Sequence, residues 1–151
     1  METEMKYFLA AVAIATIASP VFADAHLGSG DPEAGEKAFN KCQTCHVVEN
    51  DAGEVLAGRN AKTGPNLFGV VGRQAGSVEG FRYKKSIVEA GEGGLVWDVA
   101  SITSYLQDPT AFLKEVTGDS GARSGMAFKI RTEEEAADLA AFLATFSDEG
   151  S

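Results

Sequence analysis

The chain has 151 residues, 44% of them hydrophobic and 23% charged, ordinary globular values that exclude a disordered, collagen-like or multi-span membrane chain. Thirteen Lys and Arg against twenty-two Asp and Glu leave a net charge of −9, which excludes nucleic-acid binding over a broad basic face. Two cysteines are too few for a disulfide scaffold, two histidines leave little for multi-ligand zinc chemistry, and the length fits one domain.

Residues 1–23 read as a cleaved signal peptide. Lys6 precedes the apolar run Tyr7 to Ala18, which has h-region length and is too short to span a bilayer; Pro20 ends it, and Val21-Phe22-Ala23 supplies a peptidase site. Glu2 and Glu4 are foreign to a positive n-region, which points to translation starting at Met5. The mature chain then begins at Asp24. Losing two glutamates and one lysine leaves it at −8, with Met126 its only methionine.

Residues 24–30 are small, polar and aperiodic, a loose N-terminal segment before a domain over 31–147 and a loose C-terminus at 148–151. Asp31 as N-cap, Pro32 at the first helical position and Glu33 in the first turn predict a helix whose apolar face, Ala34, Ala38, Phe39 and Cys42, runs toward Cys45. Residues 49–82 are rich in glycine, proline and asparagine and predict ordered loop, with a turn at Thr63-Gly64-Pro65-Asn66. A short helix is expected over Ser86–Ala90, closed by Gly91. Another follows over Val99–Gln107, capped by Asp98, and a third starts at Asp108-Pro109 and stops at Gly118. The loop 118–131 carries Met126. The last helix opens on a capping box of Thr132 and Glu135, with Leu139, Ala140, Leu143 and Phe146 at helical spacing. No strand is evident. The fold class is all-α, short helices and long loops, and so thin a core suggests that a large apolar group completes it.

Both cysteines lie in Cys42-Gln43-Thr44-Cys45-His46, the attachment motif of c-type haem. On a helix, positions i, i+3 and i+4 share one face, so two thiols and an imidazole can meet one flat ligand. A zinc site lacks partners, since only His26 remains; a thioredoxin-like pair would need a βαβ setting that is absent. For the sixth iron position the one thioether of the mature chain, Met126, sits in Ser124-Gly125-Met126-Ala127-Phe128. His26 is the other available donor, in a terminus with nothing to hold it. Two rivals stand beside an electron carrier: a haem enzyme or gas sensor with an open sixth position, and an exported CxxC thiol oxidoreductase without haem.

The pentapeptide on a first helix, Lys62-Thr63-Gly64-Pro65-Asn66-Leu67, Gly80-Phe81-Arg82-Tyr83, Trp97, Tyr105 and Gly125-Met126-Ala127-Phe128-Lys129 before an amphipathic last helix together resemble a class I c-type cytochrome. The resemblance covers about 31–146 and is strongest to the cytochrome c2 and c-550 type of photosynthetic and denitrifying bacteria. Extra chain at 49–61 and 117–124 sets it apart from the mitochondrial form. It implies the class I cytochrome c fold around one covalently bound haem c, with thioether links at Cys42 and Cys45 and axial ligands His46 and Met126. The Pro65 carbonyl would accept the distal imidazole N–H. Tyr83 and Trp97 would hydrogen-bond a haem propionate and Arg73 would offset its charge, with Tyr105 near the Met126 sulfur and Phe128 at the haem edge. Ser124 replaces the threonine of the mitochondrial form.

The implied function is one-electron transport in the periplasm, without catalysis. The implied partners are a cytochrome bc complex as donor and a photosynthetic reaction centre or terminal oxidase as acceptor, met transiently by a monomer. Lys41, Lys62, Lys84, Lys85, Arg123 and Lys129 lie close to the site residues in sequence and are expected to steer that docking.

Overall fold

The computed structural model describes residues 29–147. The signal-peptide cleavage point, His26 and the C-terminal residues 148–151 lie outside them.

Helix α1 spans Pro32–Ala38, with the Asp31 side chain accepting from Glu33 N at 2.9 Å and Pro32 in the first turn. It stops before the cysteines. One 3₁₀ turn, Phe39–Lys41, follows, and Cys42 to Cys45 form a turn of their own. The expected continuous helix breaks because Asn40 Nδ2 takes the Lys37 carbonyl at 2.9 Å while Phe39 dives into the core against Phe142, ring centroids 5.5 Å apart.

An antiparallel hairpin, β1 (Val47–Glu49) and β2 (Val55–Gly58), runs into the segment expected to be mostly loop, with Val47 opposite Gly58 and an irregularity between Val48 and Glu49. Asn50 turns it by accepting from Ala52 N at 3.1 Å and Glu54 N at 2.9 Å, and Gly53 takes the left-handed conformation. Strands of three and four residues are too short to display an alternating pattern, which is why the sequence conceals them.

Helices α2 (Lys85–Glu92), α3 (Val99–Gln107), α4 (Pro109–Thr117) and α5 (Glu133–Ala144) follow. The first runs past its expected stop: Gly91 is buried inside α2, where an added Cβ would lie 2.0 Å from Ala75 O, so its role is close approach and not termination. Asp98 caps α3 through a reciprocal box with Ser101, Asp108 caps α4, and Gly118 ends α4 with φ +67°. Thr132 caps α5 by accepting from Glu135 N at 3.3 Å. The return half of that expected box gives way to an ion pair, because the Glu135 carboxylate engages Lys41 Nζ.

Helices α1 and α5 cross where Gly35 meets the Asp138 backbone, and α3 packs on α5. Phe39, Val48, Trp97, Ile102, Leu139 and Leu143 belong to the main core. Leu67, Phe68, Ile87, Leu95, Phe112 and Met126 stop half-buried against it. Among the described residues no helix is long and apolar enough to cross a membrane.

Candidate haem site

The cysteine turn is wound tightly: Cys45 N donates to Cys42 O at 3.0 Å and His46 N to the same oxygen at 2.9 Å. This α-turn gives the i, i+3, i+4 geometry locally, with no helix beneath it. The two thiols are not joined to each other. They differ in setting, since Cys45 is exposed while burial, aided by the nearby Glu135 carboxylate, pushes the Cys42 thiol up to about 11.

His46 is held from behind. Its Nδ1 lies 2.9 Å from Pro65 O, and Gly64 N donates to Cys45 O, so the turn at 63–66 presses on the imidazole. Donation from Nδ1 leaves Nε2 as the lone-pair nitrogen. Burial lowers the imidazole's pKa, with the Pro65 contact acting in the opposite direction, and so favours the neutral form that a metal binds.

Pro65 itself is pinned by the next residue, whose importance the sequence did not disclose. Asn66 Oδ1 accepts from Glu49 N at 3.0 Å and Phe68 N at 3.0 Å, and Asn66 Nδ2 donates to Glu49 O at 2.7 Å. The amide thus acts as a strand partner for the end of β1.

Met126 is half-buried on the same core that Cys42 touches. Its N–H donates to Ser124 Oγ at 3.0 Å, and Ser124 Oγ is 2.8 Å from Tyr105 Oη. Ser124 therefore links the Met126 backbone to the Tyr105 hydroxyl. Tyr105 stands edge-on to Trp97, 5.1 Å between centroids, and to Phe112, 5.7 Å, and burial raises its pKa.

Arg73 and Trp97 are brought together by backbone pairing, Trp97 N to Arg73 O at 2.9 Å and Gly72 N to Trp97 O at 2.7 Å. The Arg73 guanidinium donates to Phe68 O at 2.8 Å and Asn66 O at 2.9 Å; burial lowers its pKa while the nearby Tyr83 hydroxyl acts in the other direction. Tyr83 packs on Phe81 at 4.7 Å, its own pKa raised by burial. Phe128 is 50% exposed. Three of the six cations expected near the site are ion-paired: Lys41 with Glu135, Lys85 with Glu89 at 2.8 Å, and Lys129 with Asp108 at 2.6 Å.

These residues suit a haem and not a closed metal site. Among the described residues no three His, Cys, Asp or Glu side chains gather to hold a metal ion. Two thiols, one imidazole with its outer nitrogen occupied, and a thioether are side chains of the kind a covalently bound haem can use, and the half-buried apolar rim supplies a surface that fits one.

No protein-family model matches the chain. It is 58% identical over 117 residues to cytochrome c2 of Rhodovulum adriaticum, covering 78% of this chain and 93% of that protein. It is 44% identical over 140 residues to cytochrome c-550 of Paracoccus versutus, covering 91% and 86%. The solved cytochrome c2 from Rhodobacter sphaeroides superimposes with a TM-score of 0.76 at 55% identity, covering 78% of this chain and 97% of that one. With the fold, the attachment turn and these relatives in agreement, the chain belongs to the cytochrome c2 and c-550 group of class I c-type cytochromes, electron-transfer proteins with one covalently bound haem that are not enzymes.

Proposed function

We propose that the protein is a periplasmic carrier that passes single electrons from a cytochrome bc complex to a photosynthetic reaction centre or terminal oxidase, with His46 and Met126 as axial ligands. The observation that carries this reading is the 2.9 Å contact between His46 Nδ1 and Pro65 O beside the two thiols. It orients the ring with Nε2 outward and makes it a better donor.

The bound haem supplies reversible Fe(III)/Fe(II) exchange. The chain's part is to hold its surroundings constant. Cys42 and Cys45 would anchor the group and Met126 would supply a thioether to the iron, a donor that raises the potential relative to a second imidazole. Tyr83, Trp97 and Arg73 would receive a propionate, Arg73 from a position fixed by two backbone carbonyls. Tyr105 would lie beside the Met126 sulfur, and the exposed Phe128 marks the edge where electrons leave.

The test uses exported protein. Mass spectrometry should give a monomeric chain from Asp24 plus one haem. The ferric form should display the red absorption band of a thioether–iron bond. Met126→Ala should keep its haem, lose that band, bind carbon monoxide when reduced, and shift to lower potential. An unchanged band and potential would falsify the ligand assignment, and a wild type without the band would favour an open-iron enzyme or sensor.

A further inference from the structure

The loop that carries Met126 has no helix or strand of its own from Gly118 to Arg131, so its shape comes from what it is tied to. On both sides of Met126 it is tied to one short stretch, the corner where α3 ends and α4 begins. Before Met126, Ser124 Oγ meets Tyr105 Oη at 2.8 Å and Ser124 N donates to Thr110 Oγ1 at 3.2 Å. After it, Lys129 Nζ donates to Asp108 Oδ2 at 2.6 Å and Ile130 N to Leu106 O at 2.8 Å.

That corner is a rigid platform. Pro109 lies fully buried between Asp108 and Thr110, its φ fixed by the ring. Asp108 uses its other oxygen, Oδ1, to cap α4 through Ala111 N at 3.0 Å. Thr110 fixes the backbone of the same serine whose hydroxyl accepts the Met126 N–H.

We propose that Thr110 and Asp108 are positioning residues for the sixth ligand, holding the two flanks of the loop so that Met126 is presented to the iron already ordered. This rests on Met126 being that ligand. The physical reason is entropic: fixing a loop's backbone gives up conformational freedom, and a neutral thioether is a weak donor to set against that cost. Anchors outside the bond remove the cost before the bond forms.

A competing ligand reports on this directly, because its apparent affinity scales with the fraction of molecules whose loop is open. Ferric holo-protein is titrated with imidazole while the red thioether band is followed. Thr110→Val removes one ordinary hydrogen bond and should tighten imidazole binding about fivefold, whereas Thr110→Ser should bind as the wild type does. Asp108→Asn keeps a good helix cap and loses only the charge pair. It should tighten binding about twofold at low salt, as an exposed pair allows, and match the wild type at high salt. Lys129→Gln should reproduce Asp108→Asn, and the double variant should go no further.

Equal imidazole affinity in wild type, Thr110→Val and Asp108→Asn would overturn the proposal. So would a change that Thr110→Ser fails to rescue, or one that only tracks global stability in urea. Failure of the underlying reading looks different. The wild type would then lack the red band and Met126→Ala would titrate identically.

Discussion

A methyl group on Gly64 would sit 2.3 Å from His46 Cε1, 2.6 Å from Nδ1 and 2.8 Å from Nε2. The glycine is therefore required by the ring packed on it and not by its own turn. Gly64→Ala must move either the imidazole or the 63–66 turn, and both movements stretch the contact with Pro65 O. The expected loss is about 1–3 kcal/mol, the usual cost of overpacking, measured by urea unfolding of the holo-protein, together with an altered imidazole N–H resonance. Gly69→Ala is the control: its Cβ would meet nothing within 4 Å, and only its φ of +65° is unfavourable. It should cost about 1–2 kcal/mol and leave that resonance in place. An unmoved resonance in Gly64→Ala would refute the packing argument. The turn was legible from Gly-Pro-Asn; the imidazole resting on it was not, since local turn chemistry does not reveal what packs from 18 residues away. For the same reason Asn66 read as a turn residue, while its amide bonds to Glu49 came from the fold.

At the scale of elements, the legible features were those written in neighbouring residues. Asp31, Asp98, Asp108 and Thr132 cap their helices as local side-chain chemistry dictates. What failed depended on distance. Phe39 abandons the helix for Phe142, Glu135 leaves its own cap for Lys41, and Gly91 admits the Ala75 backbone. These long-range contacts also place the site. Helix α1 has seven residues, far too few to persist alone, and is held by α5: Asp31 N donates to Asp138 Oδ1 at 2.7 Å, and a Cβ on Gly35 would lie 2.0 Å from Asp138 O. Since the cysteine turn follows α1 directly, its position is inherited from this crossing. Gly35→Ala should force the two backbones apart and cost more than Gly64→Ala, where the obstacle is a side chain. Glu36→Ala, one residue on and exposed, should be nearly neutral. Urea midpoints of the three holo-proteins give the order, and equal midpoints for Gly35→Ala and Glu36→Ala would remove the crossing from the account.

Across the whole molecule, the net charge of −9 conceals an uneven arrangement. Six cations adjoin the site in sequence, but the structure pairs Lys41, Lys85 and Lys129 with carboxylates, the first and last across 94 and 21 residues. Sequence proximity could not reveal that neutralisation. Among the described residues Lys62, Lys84 and Arg123 make no ion pair, and each adjoins the site's frame in sequence or in space. Lys62 precedes the Pro65 turn. The Lys84 stem lies 3.1 Å from where a Gly125 Cβ would be, and Arg123 adjoins Ser124. An electron carrier must bind briefly and leave, which favours a small interface steered by such charges over a large apolar one. Association with an isolated cytochrome bc complex should therefore slow as added salt shortens the Debye length from about 30 to about 10 Å. In stopped-flow reduction, Lys62→Glu and Lys84→Glu should slow the second-order rate more than Arg59→Glu, which lies beyond the hairpin. Lys129→Gln should slow it about as much as Lys84→Gln, because removing the Lys129 charge leaves Asp108 uncompensated. A rate that rises with salt would move docking to the acidic surface. A much smaller effect of Lys129→Gln than of Lys84→Gln would place the docking surface on the Lys84 side of the Met126 loop and away from the Asp108 pair.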